Sequence, residues 1–391
     1  MDMRESTEVQ AFRAEVRGWL EAHAPNLKDD PYTYRGLDTA LFSHDWFRIL
    51  GQQGWLAYTW PQEYGGPGWD TARQLAFEDE LRRLGLPLPF GFGLSLLGPP
   101  LMQFGTEAQK QRFLPPIARH EDIWCQGYSE PGAGSDLASL QTRAELSADG
   151  RTFTVNGQKI WTSAADQAQW IFLLVRTDPS APKHKGISFL LVAMDSPGIE
   201  IRPIRQIDGQ AGFYETFFEN VQVPAENLLG GLNDGWNVAK SLLESERAAL
   251  AQADMNGFLE RVKRIARSYP AGDGTMLDDA GFRDHIAQLE MDADVFRYTR
   301  YRIESALVSG NRPGPESAFF KLYLSELSQR AHTAGLRAMG PDAAAWYDPR
   351  LSPDAFDLPM SNAIDRAITI YSGSSEVQRN IIAKRVLGLP D

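Results

Sequence analysis

Apolar residues recur at helical spacing through the first third of the chain. Phe12, Val16 and Leu20 follow one another every four positions before Pro25 ends the run. Similar spacing continues through the stretches TARQLAFEDELRRLG and TEAQKQRFLPPIA. The pattern predicts an all-helical domain over residues 1–121.

A different pattern begins at about residue 122. Short β-branched and aromatic runs such as QWIFLLVRT, GISFLLVAM and ETFFENVQV are separated by turn residues, which is typical of strands. Asn156-Gly157 predicts a hairpin turn, because this pair accepts the positive φ angles that tight turns need. Helical spacing then returns and, after a break at the flexible stretch YPAGDGTMLDD, persists to the end. We therefore predict a β domain over residues 122–235 and a helical bundle over residues 236–391.

The composition narrows the classes of function. The 391 residues carry a formal net charge of −12, which argues against a nucleic-acid partner because phosphate binding needs basic faces. Six isolated histidines show no metal-ligand spacing, so no metal site is predicted. The single cysteine, Cys125, fits a reducing compartment and is interpreted as a buried apolar residue rather than a catalytic thiol. The polar N-terminus and the lack of a long apolar run predict a cytoplasmic protein without a membrane partner.

Two glycine-rich stretches bear on the chemistry. Residues 91–98, GFGLSLLG, lack the glycine spacing of a nucleotide loop, and Ser95 lacks the flanking pattern of a nucleophile elbow. Residues 129–136, SEPGAGSD, form a loop whose backbone N–H groups can approach a planar cofactor or a phosphate closely. An ordinary surface turn is the alternative interpretation of this second stretch.

A turn near the C-terminus, residues 372–375, is rich in hydroxyl groups and backbone donors. Its sequence, SGSS, contains no acid, base or strong nucleophile. If this turn belongs to an active site, the group that carries out the chemistry must lie elsewhere in the chain.

Several of these motifs together resemble the acyl-CoA dehydrogenase family. They are YSEPGAGSD, then GQKIWTSAADQAQWIFLL, GFYETFFENVQVPAENLLGGLNDGW, LLESERAALA and IYSGSSEVQRNIIAKRVLGLP, and in order they cover essentially the whole chain. The resemblance implies an α+β multidomain fold with an N-terminal helical domain, a middle β-barrel-like domain and a C-terminal four-helix bundle. It also implies FAD as cofactor, an acyl-CoA substrate that undergoes α,β-desaturation, an electron-transfer flavoprotein as acceptor, and a tetramer built as a dimer of dimers.

The resemblance assigns roles to individual positions. The residues that would contact the cofactor at the flavin are Gln126, Tyr128, Ser129, Trp161 and Ser163, and those at its sugar and adenine end are Ser374 and Glu376. The residues that would contact the substrate are Ser135 and Arg247, at the CoA portion, and Ser372, whose main-chain N–H would bind the thioester carbonyl.

The catalytic base is where the chain departs from many family members. Ser372 occupies the position of their glutamate, and a serine cannot remove a proton from the carbon beside a thioester without a strong base of its own. A second family arrangement places the glutamate just before an arginine on the first long helix of the bundle, which here is Glu246-Arg247. An apolar stripe of Leu242, Leu243 and Leu250 predicts partial burial of Glu246, which would raise its pKa and suit a general base. The alternative is a solvated helix charge paired with Arg247.

Two further departures concern the far end of the cofactor. The family's arginine–phenylalanine–glycine segment is replaced by YPAGDGTMLDDAGFRDHI, and Arg337 stands where a glutamine is usual, so that Arg337 or Arg283 would have to restore the positive charge. These features are reminiscent of the branch that acts on bulky acyl-CoA thioesters such as steroid side chains, some of whose members assemble from unlike subunits.

The segment PFGFGLSLLGPPL, residues 89–101, lies where the family lines the acyl tail. Gly91, Gly93 and Gly98 remove side-chain volume, and Pro99-Pro100 interrupt helical continuity, so the segment predicts a widened pocket for cyclic or branched acyl groups. Two alternatives keep the fold but change the function. One is a flavin oxidase, desulfinase or nitroalkane-oxidising relative, and the other is a non-catalytic or FAD-sharing partner subunit of a heteromeric dehydrogenase.

Overall fold

Helices precede and follow an eight-stranded β-sheet in the part of the chain that the computed structural model describes, residues 5–24, 44–207, 209–250, 253–308 and 317–390. This order confirms the predicted fold class. No helix in these ranges combines the length and the apolar character that a membrane span requires.

The helices before the sheet begin and end at recognisable capping residues. The Asp70 side chain accepts from the Arg73 N–H, Gly85 ends the same helix with φ 70°, and Thr106 with Gln109 forms a capping box. The helices are α1 (Thr7–His23), α2 (His44–Gln53), α3 (Thr71–Leu84), α4 (Gly98–Phe104) and α5 (Glu107–Ala118). A π-helical turn, Phe92–Leu97, leads into α4.

The sheet has the strand order β6-β7-β3-β2-β4-β5-β8, and β1 pairs with β4 in parallel. The strands are β1 (Trp124–Gly127), β2 (Arg143–Leu146), β3 (Thr152–Ser163), β4 (Trp170–Arg176), β5 (Ile187–Ala193), β6 (Ile199–Ile204), β7 (Phe213–Pro224) and β8 (Leu228–Leu229). Cys125, Ile171 and Phe153 belong to the apolar core on one face. The interpretation of Cys125 as a buried residue is therefore confirmed.

The predicted hairpin at Asn156-Gly157 is wrong. Both residues lie inside β3, next to an irregularity in its pairing with β7. Gly157 is needed there because a Cβ would lie 2.6 Å from the Cα of Thr142, the residue directly before the neighbouring strand β2. The glycine thus permits a close approach of two strands and does not form a turn.

The C-terminal helices enclose a second apolar core. The elements are α6 (Gly235–Leu250), α7 (Met255–Ser268), the short strands β9 (Pro270–Ala271) and β10 (Gly274–Thr275), α8 (Ala280–Val308), α9 (Ser317–Met339), α10 (Leu358–Asp365) and α11 (Ser375–Ile381). Leu259, Phe282 and Leu327 are among the residues that pack α7, α8 and α9 together. The stretch expected to be a flexible break forms the β9–β10 hairpin, in which Asp278 accepts from Thr275.

The described residues divide into two compact units. One contains residues 12–24 and 44–246, and the other contains residues 5–11 and 247–390. The boundary falls within α6, directly after Glu246. The three predicted domain ranges stay a prediction.

A buried carboxylate ties α1 to α3. Glu80 is 1 % exposed and accepts hydrogen bonds from Arg13, Arg17 and Arg83, at 2.8 to 3.1 Å. The hydrogen bond from Arg17 is the main reason that the pKa of Glu80 is lowered to about 2, although burial acts in the opposite direction. The ionised carboxylate therefore contributes to the stability of the unit at neutral pH.

We expect Glu80→Gln to lower the free energy of unfolding by roughly 3 kcal/mol at pH 7, because the pKa of this carboxyl falls from 4.5 to about 2 on folding. Since the folded-state pKa is the lower one, this contribution is complete above pH 4.5 and is lost as the pH falls through 2. Urea unfolding of both proteins between pH 7 and pH 2 measures the difference.

The matched control is Glu121→Gln, because Glu121 pairs with Arg119 at the surface. Its effect should be much smaller, since solvent screens exposed ion pairs. A wild-type advantage over Glu80→Gln that is the same at pH 2.5 and pH 7 would contradict the assignment.

Candidate active site

The SEPGAGSD loop follows β1 and presents an open face. A Cβ at Gly132 or Gly134 would meet no atom within 4 Å, and Ser135 at the tip is exposed. A surface groove of about 480 Å³ runs beside the loop and is lined by Glu130, Pro131, Gly132, Ser139, Gln141, Thr142, Gly157 and Gln158. A ligand can therefore approach the loop backbone closely.

A buried hydroxyl at the start of this loop has no hydrogen-bond partner among the described residues. It belongs to Tyr128, which is 5 % exposed and whose ring packs against Phe172 and Phe189. Burial raises the pKa of this hydroxyl well above its usual range, and the charge of the Glu246 carboxylate raises it further. Because unpaired buried polar groups are rare and costly, the hydroxyl marks a place where a bound group would complete the hydrogen bonding.

Trp161 lies on a β-bulge and faces solvent. Pairing between β3 and β7 shifts by one residue between Lys159 and Thr162, and Trp161 has φ 61°. A bulge redirects a side chain, and a non-glycine residue with positive φ carries backbone strain. The indole is 56 % exposed and contacts the ring of Phe213 edge-on. Such a large, flat, exposed side chain can pack on a planar ligand.

The other predicted flavin contacts lie near these residues in the sheet. Gln126 is on β1, opposite Phe172, and Ser163 ends β3, opposite Phe213. The Ser129 carbonyl accepts from the Ile160 N–H at 2.9 Å. The structure thus brings β1, the loop after it and the bulged end of β3 together.

Glu246 is half-buried on α6, one turn after the buried Leu242. The charge of its carboxylate is the second cause, after burial, of the raised pKa of the Tyr128 hydroxyl. The side chains of Arg247 and Leu250 lie outside the described residues, so the predicted ion pair and part of the apolar stripe stay predictions. The setting of Glu246 suits a base that is shielded from water but not enclosed.

The C-terminal turn is held in an unusual conformation. Ser372 and Gly373 have φ angles of 57° and 90°. The buried Lys321 donates to the Gly373 carbonyl at 2.7 Å, and the Gln378 side-chain amide donates to the Ser372 carbonyl at 2.9 Å. These bonds hold the turn from beneath, which is the kind of support that backbone strain at a functional site requires.

The two predicted adenine-end contacts border the same turn. The Ser374 hydroxyl caps α11 by accepting from the Val377 N–H, and Glu376 is exposed in the first turn of that helix. Helix capping is therefore one role of Ser374, and contact with a ligand is a second role that stays a prediction.

The glycines of the segment 89–101 serve a different purpose from the one predicted. A Cβ at Gly93 would lie 2.8 Å from the indole of Trp124, and one at Gly98 would lie 2.1 Å from the indole of Trp60. Both glycines allow the backbone to pack against tryptophan rings, and the adjoining cavity of about 30 Å³ holds no more than a water molecule. The prediction that these two glycines widen an acyl pocket is wrong, whereas a Cβ at Gly91 would make only an ordinary contact, 3.8 Å from the Cβ of Leu94.

Sequence reasoning missed an ion pair beneath the loop. Lys159, which is 0 % exposed on β3, donates to the Glu130 carboxylate at 2.7 Å and to the Tyr128 carbonyl at 3.1 Å. The signal was present, because a lysine occupied an inward position of a strand predicted to pack against a core.

Family models for three consecutive domains match this chain. Residues 6–121 match the model of the acyl-CoA dehydrogenase N-terminal domain, residues 125–221 that of the middle domain, and residues 233–387 that of the C-terminal domain. The chain therefore belongs to the acyl-CoA dehydrogenase family of FAD-dependent oxidoreductases.

Individual relatives span the whole chain. The acyl-CoA dehydrogenase IpdE1 of Mycobacterium tuberculosis is 38% identical, over 98% of this chain and 98% of its own length. Among solved structures, the Tcur3481-Tcur3483 steroid ACAD has a TM-score of 0.84 and the ChsE4-ChsE5 complex from Mycobacterium tuberculosis has a TM-score of 0.83. Each is 32% identical to this chain, with 100% of both chains covered.

The residues of the sheet fit an FAD cofactor. The unpaired Tyr128 hydroxyl, the open loop backbone and the exposed indole of Trp161 supply a polar contact, close backbone approach and a planar surface. A flavin has matching polar edges and a planar ring system.

Replacing Tyr128 by Phe should separate ligand binding from folding. We expect the apoprotein to be unchanged or about 1 kcal/mol more stable, because the variant removes a buried unpaired hydroxyl. The dissociation constant for FAD should rise by about five- to tenfold, as expected for one lost hydrogen bond. Urea unfolding and flavin fluorescence titration measure the two effects.

Tyr58→Phe is the matched control, because the Tyr58 hydroxyl is also buried but donates to Glu78 at 2.7 Å. This variant should lose about 2 kcal/mol of stability and leave FAD affinity unchanged. If Tyr128→Phe destabilises the apoprotein as much as Tyr58→Phe does, the Tyr128 hydroxyl is paired after all.

Proposed function

We propose that the protein desaturates the α,β carbon–carbon bond of an acyl-CoA thioester, with Glu246 as the base that removes the α-proton. The observation that carries this proposal is the half-buried Glu246 carboxylate, which belongs to the same compact unit as the unpaired, buried Tyr128 hydroxyl. A carboxylate that is partly shielded from water next to an incomplete polar site is suited to proton transfer.

The chemistry divides between the cofactor and the chain. Bound FAD supplies the acceptor for the hydride that leaves the β-carbon. The chain contributes Glu246, which takes the α-proton on a carboxylate oxygen, and groups that orient the reactants, among which we place Gln126, Tyr128, Ser129, Trp161 and Ser163.

The C-terminal turn has a supporting role in this proposal. The main-chain N–H of Ser372 would donate to the thioester carbonyl and so favour enolate-like charge at the oxygen. Ser135 and Arg247 would contact the CoA portion, and Ser374 and Glu376 the sugar and adenine end of FAD. The bonds from Lys321 and Gln378 to the carbonyls of the turn support this assignment, because they fix the orientation of the adjacent peptide groups.

The acyl group is proposed to be bulky or branched, such as a steroid side chain. Support comes from the relatives, since one solved structure that matches along its full length is a steroid ACAD. The glycines of the segment 89–101 no longer support it, so the proposal rests on similarity alone.

The partner proposals follow the same relatives. The ChsE4-ChsE5 structure is a complex of two chains, which supports assembly of this chain as a homo- or heterotetramer. An electron-transfer flavoprotein is the proposed acceptor of the electrons. We place the protein in the cytoplasm, where both would be available.

A panel of acyl-CoA thioesters tests the reaction and the substrate class together. The protein is purified alone and with a co-expressed homologous chain, and bleaching of the flavin absorption is followed without oxygen. We expect bleaching by thioesters with ring-bearing or branched acyl groups, faster than by short straight-chain ones. Faster bleaching by a short straight-chain thioester would contradict the substrate class, and peroxide release in air at the turnover rate would indicate an oxidase.

Glu246→Gln tests the base. This variant keeps the shape and hydrogen bonding of the side chain but removes its basicity. Anaerobic bleaching should slow by about 10²–10⁴-fold, the usual contribution of a general base, while FAD and thioester binding persist. Ser372→Ala should slow it far less, because alanine retains the main-chain N–H.

The matched control is Glu244→Gln, since Glu244 is an exposed residue of the same helix. It should bleach at the wild-type rate. If instead Glu244→Gln is slow and Glu246→Gln is not, the base has been assigned to the wrong glutamate.

A further inference from the structure

Two buried cations hold the two ends of the SEPGAGSD loop. Lys159 on β3 donates to the Tyr128 carbonyl at 3.1 Å and to Glu130 at 2.7 Å, at the start of the loop. Arg176 on β4 donates to the Ala138 carbonyl at 2.6 Å, near its end. The loop is therefore anchored to two neighbouring strands from within the protein.

The Glu130 carboxylate joins the two ends to each other. Besides Lys159, it accepts from the main-chain N–H groups of Gln141, at 2.6 Å, and Thr142, at 2.9 Å. Each carboxylate oxygen thus has a partner on the far side of the loop. This arrangement closes the base of the loop and leaves Gly132, Gly134 and Ser135 exposed.

The same strand segment also shapes the bulge. Directly after Lys159, the Ile160 N–H turns away from β7 and donates to the Ser129 carbonyl at 2.9 Å. The bulged residue Trp161 follows. Lys159 therefore binds the carbonyl of Tyr128, and the next residue, Ile160, binds the carbonyl of Ser129. The strand continues with Trp161 and Ser163, two of the predicted flavin contacts.

We propose that Lys159 is a positioning residue of the cofactor site, which together with Glu130 fixes the Tyr128–Ser129 segment relative to Trp161 and Ser163. This inference rests on the proposed function. A buried ion pair is weak evidence for stability, because desolvation offsets much of the attraction. An apolar pair of the same volume could not supply the directional hydrogen bonds that this ion pair makes. Here these bonds connect the Tyr128–Ser129 segment with β3, and both are proposed to contact the same flavin.

The pair should make the site sensitive to alkaline pH. Burial is the main reason that the pKa of Lys159 is lowered to about 8, although Glu130 acts in the opposite direction; nearby Arg176 makes a smaller contribution in the same direction as burial. Below pH 8 the ammonium donates with its full charge, and above it the neutral amine binds the loop less strongly. FAD affinity should fall as the pH rises from 7 to 9.5.

The experiment compares three variants with the wild type. Lys159→Met removes the cation but leaves the buried Glu130 carboxylate without it. It is therefore accompanied by Lys159→Met/Glu130→Gln, which removes both charges of the pair and keeps one acceptor for the loop amides. Lys183→Met is the matched control, because Lys183 forms an exposed ion pair with Asp136 of the same loop. The readouts are FAD dissociation constants from pH 6.5 to 9.5, flavin absorption spectra, and hydrogen exchange of the Gln141 and Thr142 amides in the apoproteins.

For the double variant we expect an FAD dissociation constant at pH 7 that is at least about tenfold higher than that of the wild type, because charge-assisted hydrogen bonds are lost. Its pH dependence should disappear, its flavin spectrum should shift, and its two loop amides should exchange faster. Lys183→Met should match the wild type throughout.

A double variant that binds FAD with wild-type affinity and the wild-type pH profile would overturn the inference. Unchanged hydrogen exchange of the Gln141 and Thr142 amides in the double variant would also overturn it. This exchange is measured in the apoproteins and does not depend on any cofactor. Wild-type protein that takes up no FAD would instead contradict the proposed function, and the two failures are therefore distinguishable.

Discussion

The ion pair between Glu130 and Lys159 is the interaction on which the geometry of the candidate site depends. Both charges are removed from water, so each needs partners with good geometry, and the loop amides and the Tyr128 carbonyl supply them. Because the Glu130 carboxylate and the Lys159 ammonium must keep these hydrogen bonds, the base of the loop has little conformational freedom. The buried Glu80 carboxylate has a different role. It pairs with three arginines between α1 and α3, away from the predicted cofactor and substrate contacts, and it stabilises the packing of these two helices.

Departures from ordinary backbone and hydrogen-bonding rules occur at three of the predicted site residues. Trp161 and Ser372 have positive φ angles without being glycine, and the buried Tyr128 hydroxyl has no partner among the described groups. Each of these features costs free energy on its own. They persist because the sheet around Trp161, and the bonds from Lys321 and Gln378 around the turn, determine the local conformation.

The proposed assignment of Glu246 as the base agrees with the side chains that each segment offers. The C-terminal turn offers hydroxyls and oriented peptide groups but no side chain that can hold an α-proton at neutral pH. Glu246 lies on a regular helix, where its backbone is unstrained and its carboxylate is half-buried. A helix is the more rigid support for a base, and rigidity favours efficient proton transfer because less reorientation is needed.

The sequence by itself determined the order of helices and strands, the family, and Glu246 as the candidate base, because these depend on local periodicity and on residue identity along one segment. Only the tertiary structure decided how Asn156-Gly157 and Gly93 are used. In isolation Asn156-Gly157 looks like a turn and Gly93 looks like a gap in a pocket wall. In the structure Thr142 lies close to Gly157 and Trp124 lies close to Gly93, and neither approach can be read from the local sequence. The partners of Lys159 and the bulge at Trp161 were hidden for the same physical reason, since hydrogen bonds across a sheet join residues whose separation along the chain carries no periodic signal.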